Sequence, residues 1–444
     1  MSTGTEEQLR NLVAFDTVSD PARGKRPTVD CPKYITSCFE DLGLAARTLK
    51  HNGVYSSLAE TGEGDFRVLF LAHFDVVPVG EGWKTDPFRL VVDGDRAYGR
   101  GTCDDKGNVT SLILLAERLA QNKPSCNVML AATGDEEVGG ANGAGHLKDY
   151  LSEQGKSPEY VVVADGVGQQ MIFRRRNVLP TTIRAKRTTR TARGRAETVR
   201  FTTETYGNES RHSAYMQLGV DRHAMLTASK YLDLHPDALV RNVRGAFVKS
   251  NVVPDWVELD LVHPDEAGAE TDYDATLTGI MRLLLPISHS TFPTMFSERG
   301  AMISPNLLKL DADTWDLYCD VRAMTNEGGP LRETIMKVLK PTLRSVSVDV
   351  SDGAGYVDSD PQSRLIRTAS WALKQQGMRC QLIEGFGASD SRFFSRQAQV
   401  FDFGPLGENL HGANEWVLLH SIEENAKFFH RLIDGLVQDP TGFT

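Results

Sequence analysis

Short apolar, β-branched runs that stop at a small residue and then at an acid or a histidine recur through the first third of the chain. "RVLFLA" (67–72) leads into His73 and Asp75, "CNVMLAATG" (126–134) into Asp135, Glu136 and Glu137, and "YVVVADG" (160–166) into Asp165. Between the first two lies "KGNVTSLILLAERLAQN" (106–122), whose Val109, Leu112, Ile113, Ala116, Leu119 and Ala120 recur at helical spacing. Continuous apolar strands alternating with helices predict an α/β fold with a mainly parallel sheet. In such sheets ligands gather beyond the carboxyl ends of the strands, and there the acids and histidines stand.

A chain of 444 residues exceeds one ordinary core, so two domains are expected. The texture changes near residue 180. "RAETVRFTTETY" (195–206), "DWVELDLVH" (255–263) and "DTWDLYCDVRAM" (313–324) alternate with period two; in the last, Trp315, Leu317, Cys319 and Val321 share one face, and Asp316, Tyr318, Asp320 and Arg322 the other. "MRCQLIEGFG" and "AQVFDFGP" restore the parallel texture, and a final helix is expected to open with Ser421 and Glu424 as a capping box. The prediction is a catalytic domain of 1–180 and 353–444 with an inserted α+β domain of 181–352 carrying an antiparallel sheet.

A net charge of −10 argues against nucleic acid as the main partner. No segment is long and apolar enough for a membrane span, and "MSTGTEEQLRNLVAFDTVSD" does not read as a secretory leader. Six scattered cysteines without a C-x-x-C pair predict reduced thiols and a cytoplasmic setting.

Singly, an Asp-Asp or Glu-Glu pair reads as a solvated turn and a strand-end histidine as structural. Together the picture changes. The fold rule brings His73, Glu136, Glu137 and Asp165 to one rim with His411 of "FGPLGENLHGANEW", and Asp104 joins from the start of the 106–122 helix. So many carboxylates cannot share a rim without cations. Two imidazoles among carboxylates suit zinc, with manganese or cobalt as alternatives. The set fits two ions about 3.5–4 Å apart: His73 and Asp165 for one, Glu137 and His411 for the other, Asp104 as bridge. Glu136 is left over as a general base.

At these residues the chain resembles the co-catalytic zinc hydrolases that include succinyl-diaminopimelate desuccinylase, acetylornithine deacetylase, aminoacylases and glutamate carboxypeptidases. H-x-D-V-V-P, G-R-G-x-x-D-D-K-G, D-E-E and the distant strand-loop-His carry the likeness in that order. The resemblance implies a zinc-peptidase-like α/β/α catalytic domain and an inserted lid that makes a homodimer. It implies that Asp75 orients His73, that the Asp104–Asp105 peptide is cis, and that His212 of "ESRHSAYMQLGVD" polarises the scissile carbonyl. His223 is read as structural. Asn306 and Arg322 would grip substrate carboxylate, with "SNVVP" (250–254) set aside as a decoy, and "GASDSRF" adds Ser389 and Arg392 as substrate contacts. The implied activity is hydrolysis of an N-acyl amino acid by water that two cations activate. A dipeptidase or carboxypeptidase with the same centre is the alternative. A non-catalytic metal-binding relative is a lesser one, opposed by the retained Glu136.

The stretch 173–200 holds ten basic residues and one acid, Glu197. It reads as a solvated lid strand and hinge; a patch steering an acidic substrate and a nucleic-acid contact are the alternatives. Cys103 is expected to pack beneath the site.

Overall fold

The computed structural model describes residues 3–206, 212–216, 219–295, 301–385 and 387–438. The chain divides into two compact units, Met1–Arg175 with Val357–Thr444, and Arg176–Tyr356.

The first unit is built on a nine-stranded sheet. Its centre is parallel: Asn127–Thr133, Arg67–His73, Tyr160–Val163 and Gln399–Asp402 lie side by side in that order. Antiparallel strands flank this centre, Val54–Thr61 and Ala45–His51 on one side, Met171–Arg175 and Val357–Asp358 on the other. The alternation of side chains decides the layers. Val68, Phe70 and Ala72 face a core shared with the helices Asp30–Asp41, Lys106–Gln121, Arg364–Gln375 and Leu419–Gln438. Leu69 and Leu71 face the opposite side, against Leu147 and Leu151 of His146–Glu153. Both faces are covered, which is why these strands read as unbroken apolar runs. The last helix begins at Leu419, two residues before the expected cap. Ser421 instead donates to Leu418 O and accepts from Leu406 N, tying the helix start to the loop before it.

The second unit holds two antiparallel sheets. One runs Met302–Asp311, Thr314–Ala323, Thr181–Lys186, Val346–Val350; the other Leu239–Gly245, Trp256–Pro264, Thr189–Thr202, Ala269–Asp274. Leu277, Ile280, Met281 and Leu284 of Ala275–Ser288 pack with Leu317, Val321 and Leu259 in its core. The alternation in Thr314–Ala323 is real on its inner face, but Asp320 and Arg322 on the other face are buried as well. The basic stretch lies largely opposite acids on neighbouring strands. Arg184 meets Asp316 and Asp349, Lys186 meets Asp313 and Arg187 meets Asp274; Arg195 reaches Asp265.

His223 caps the helix Ala224–Leu234. Its Nδ1 accepts the Met225 N–H at 3.2 Å, so the proton sits on Nε2, 3.2 Å from Ser304 Oγ. Burial pushes its pKa down to about 4. A histidine kept neutral by folding contributes fully above its ordinary value of 6.5, and the contribution is lost as pH falls from there to about 4. The full loss is about 3 kcal/mol. Urea unfolding followed between pH 7 and pH 4 should show this decline, and His223→Gln should flatten it.

Candidate metal centre

Register sets the rim. His73 lies opposite Thr133, and Leu71 opposite Val163, on adjacent parallel strands. Glu136, Glu137 and Asp165 therefore leave the sheet at the same level as His73. Gly101 enters the next segment at φ 83°, in the left-handed region open to glycine, with Val76 and Lys106 too close for a side chain. That turn delivers Asp104 and Asp105, joined by a cis peptide.

The orientation of the His73 ring is fixed. Nδ1 donates to the Asp75 carbonyl oxygen at 3.0 Å, which turns Nε2 toward Asp104 Oδ1, 3.1 Å away. The His73 backbone N–H donates to Asp105 Oδ2 at 2.9 Å, and Asn108 holds the other oxygen of Asp105. Asp104 Oδ2 faces His411 Nε2 at 3.1 Å, and the same nitrogen lies 3.1 Å from Glu137 Oε2. Two groups of three result, His73–Asp104–Asp165 and Asp104–Glu137–His411, with the ligand atoms of each within 4.8 Å of one another. Asp104 is common to both. His73 Nε2 and Glu137 Oε1 are buried without a hydrogen-bond partner, as expected of donor atoms aimed at a cation. The set of two imidazole nitrogens and carboxylate oxygens fits two divalent cations.

The electrostatics agree. Burial alone would depress the His73 imidazolium, but Asp104, Asp105 and Asp75 outweigh it and raise its pKa well above the ordinary value. Burial would likewise raise Asp104, yet His411 and His73 hold it below the usual carboxylate range. Burial, with Glu136 nearby, raises Asp165 well above that range. A site that must share protons to relieve its charge is one that a cation relieves better. Glu136 belongs to neither group; burial and then Glu137 push its carboxyl up to about 7 against the pull of His73 and Arg392.

The surrounding residues hold these ligands. Asp75 does more than face the imidazole, which its Oδ1 approaches only to 3.5 Å. Its carboxylate accepts the Glu136 and Glu137 N–H groups at 3.0 and 3.2 Å and the Ser19 hydroxyl at 2.8 Å, pinning the turn that carries both glutamates. Glu415 was not singled out from the sequence. It is fully buried and accepts from Arg100 Nη1 and from the N–H groups of Gly101, Cys103 and Asp104. Arg100 also donates to His411 O at 3.3 Å. His411 itself adopts φ 62°, a conformation that costs a non-glycine residue roughly 1–3 kcal/mol. Both missed residues stood inside quoted motifs, Arg100 between two glycines and Glu415 beside Trp416. Cys103, within this turn, is a buried free thiol.

Of the expected substrate contacts in this unit, Ser389 is buried and donates to Asp402 Oδ1 at 2.7 Å, so its hydroxyl is already engaged internally. Arg392 donates to Gly139 O at 2.9 Å and lies near enough to Glu136 to favour its charged form.

In the second unit, His212 Nδ1 accepts the Ala214 N–H at 3.1 Å and Nε2 faces the Asn251 amide at 3.2 Å. Arg322 grips Asp320 through Nε and Nη2 at 2.9 and 3.2 Å, and Ser213 also bonds Asp320. Asn306 is fully buried at a register shift in its strand, with Oδ1 accepting from Ser304 and Nδ2 donating to Ser250 O. The residue beside His212 is Asn251, from the segment set aside as a decoy. Glu209–Arg211, Gln217 and Leu218 of the expected lid motif fall outside the described residues.

Paired ligand triads sharing one carboxylate, at the carboxyl edge of a covered α/β sheet, define a metal-dependent hydrolase of amides or peptides. The profile of Peptidase family M20/M25/M40 matches residues 69–435, and the chain belongs to that family. It is similar to the succinyl-diaminopimelate desuccinylase of Gluconobacter oxydans (strain 621H), 26% identical over 378 residues, 85% of this chain and 83% of the relative. Among solved structures it is similar to aminoacylhistidine dipeptidase from Vibrio alginolyticus, with a TM-score of 0.71 at 13% identity over 98% of this chain and 96% of that one. It is also similar to the family M20 metallo-carboxypeptidase Sso-CP2 from Sulfolobus solfataricus, with a TM-score of 0.63 at 16% identity over 98% and 99%.

Proposed function

We propose that the protein hydrolyses the amide bond of an N-acyl amino acid, with a succinyl or acetyl group as the acyl part, at a centre of two divalent cations, zinc first and cobalt or manganese as alternatives. The observation that carries this is the pair of three-ligand groups sharing Asp104, with the unliganded Glu136 beside them. His73 and Asp165 would hold one cation, Glu137 and His411 the other, and Asp104 would serve both. Bound there, the cations supply Lewis-acid polarisation and make water a nucleophile at neutral pH. Glu136 takes the proton from the attacking water and returns it to the leaving amine. Asp75 keeps Glu136 and Glu137 in place through their backbone N–H groups. His212 is assigned to stabilise the developing oxyanion, and Arg322 and Arg392 are assigned to substrate carboxylate. Asn306 is the proposed amide contact for substrate, and Asn251, beside His212, is the alternative.

The likeness to desuccinylases favours an acyl amino acid. A dipeptide is the second reading, supported by whole-length likeness to a dipeptidase fold. Metal analysis followed by assays on N-succinyl and N-acetyl amino acids and dipeptides, before and after chelation, separates the two; no turnover restored by any divalent cation sinks both. His212→Ala should lower kcat by about 10²–10³ with little change in KM, as loss of an oxyanion donor does. An unchanged kcat would move that role elsewhere.

The second unit is assigned as lid and dimerisation domain, so sedimentation of the full chain should give a homodimer. Six unpaired thiols support a reducing, cytoplasmic setting, and no helix among the described residues is long and apolar enough to cross a membrane.

A further inference from the structure

Arg175 has no place in the chemistry above, yet its guanidinium ends at the backbone of a proposed ligand. It is the last residue of the strand Met171–Arg175 and of the first segment of its unit, paired across the sheet with Val357, where the chain returns. The side chain is buried. Nη2 donates to the Asp165 carbonyl oxygen at 2.7 Å, Nη1 to Gly387 O at 3.2 Å, and Nε to Asp402 Oδ2 at 2.7 Å. Asp402 is fully buried and also accepts from Ser389 and Ser391. On the other side of the Asp165 loop, Gly166 lies against the backbone of Phe403 and Gly404 with no room for a side chain.

The Asp165 peptide is therefore clamped between the Phe403–Gly404 backbone and a three-pronged cation. Only a planar fork reaches three acceptors in these directions; an ammonium on a flexible stem does not reproduce them. Because the contact is to the carbonyl oxygen, the Asp165 carboxylate is left to turn toward His73 and Asp104. None of the three bonds touches Glu137 or His411.

We propose that Arg175, anchored by Asp402, is a positioning residue for one cation group alone: it sets the affinity of His73–Asp104–Asp165 and leaves Asp104–Glu137–His411 unaffected. The assignment rests on the two-cation reading. Outer partners of metal ligands change affinity by about 10–100-fold when removed, and that is the effect expected here.

The test is titration of metal-free full-length protein with Co²⁺, followed by visible absorption and by native mass spectrometry. Wild type should take up two equivalents. Arg175→Lys should bind one as wild type and the other about 10–100-fold more weakly, and the weakened one should be that lost in Asp165→Asn, not in Glu137→Gln. Asp402→Asn, which keeps the shape and removes the anchoring charge, should weaken the same equivalent and serves if Arg175→Lys does not fold. Two equivalents in wild type with both unchanged, or both weakened alike, in the variants overturn the assignment by itself. Fewer than two equivalents in wild type overturn the two-cation reading and the assignment with it.

Discussion

Glu136→Gln is expected to lower kcat by about 10²–10⁴, the usual contribution of a positioned general base, while both cations stay bound. The amide matches the carboxylate in shape and keeps the backbone N–H that donates to Asp75, so the turn carrying Glu137 is undisturbed. What it lacks is a proton acceptor. The pH profile gives a second, independent reading. Buried without cations, the Glu136 carboxyl is pushed up to about 7. A neighbouring positive charge favours its ionised form, so in the loaded enzyme the value lies lower. The base works only when ionised, so kcat/KM should fall as pH drops through that value, and this acidic limb should vanish in the glutamine variant. Full turnover in Glu136→Gln with two bound cations would remove the residue from the mechanism.

The parallel centre of the sheet and its rim were legible because two signals coincide there. Strands buried on both faces leave unbroken apolar runs, and the residues just past the end of each run must sit at the carboxyl edge. His73, Glu136, Glu137 and Asp165 could thus be brought together from sequence order alone. The helix start was less legible: Ser421 with Glu424 three residues on looks like a cap, but the hydroxyl is taken by Leu418 and Leu406. The setting of Asn306 was not legible: the register shifts between Pro305 and Leu307 and leaves it in a bulge, bonded to Ser304. The period-two pattern cannot announce a bulge. Glu415 and Arg175 were illegible for a different reason, since most of their partners are backbone groups, which carry no residue identity.

Glu415→Ala is expected to be the most destabilising single change at the centre. The carboxylate is fully buried and satisfies the Arg100 guanidinium and three N–H groups, those of Gly101, Cys103 and Asp104. Removing one partner of a buried ion pair costs about 3–5 kcal/mol, because the other charge stays behind unpaired. Each orphaned N–H adds roughly 1 kcal/mol or more, though such losses do not sum simply. In a unit of this size every kcal/mol moves the melting temperature by about 2–4 °C, so Tm should fall by roughly 10 °C or more. The damage also has a direction. The freed loop carries Asp104, shared by both cation groups, and Arg100 in turn supports the carbonyl of His411. Metal stoichiometry should therefore drop at both groups together, unlike the one-sided loss expected at Arg175. Glu415→Gln keeps the shape and part of the acceptor capacity but not the charge, and should fall between wild type and alanine in both Tm and stoichiometry. A Glu415→Ala protein that melts within a degree or two of wild type and still binds two cations would show that the buried pair with Arg100 does not organise this centre.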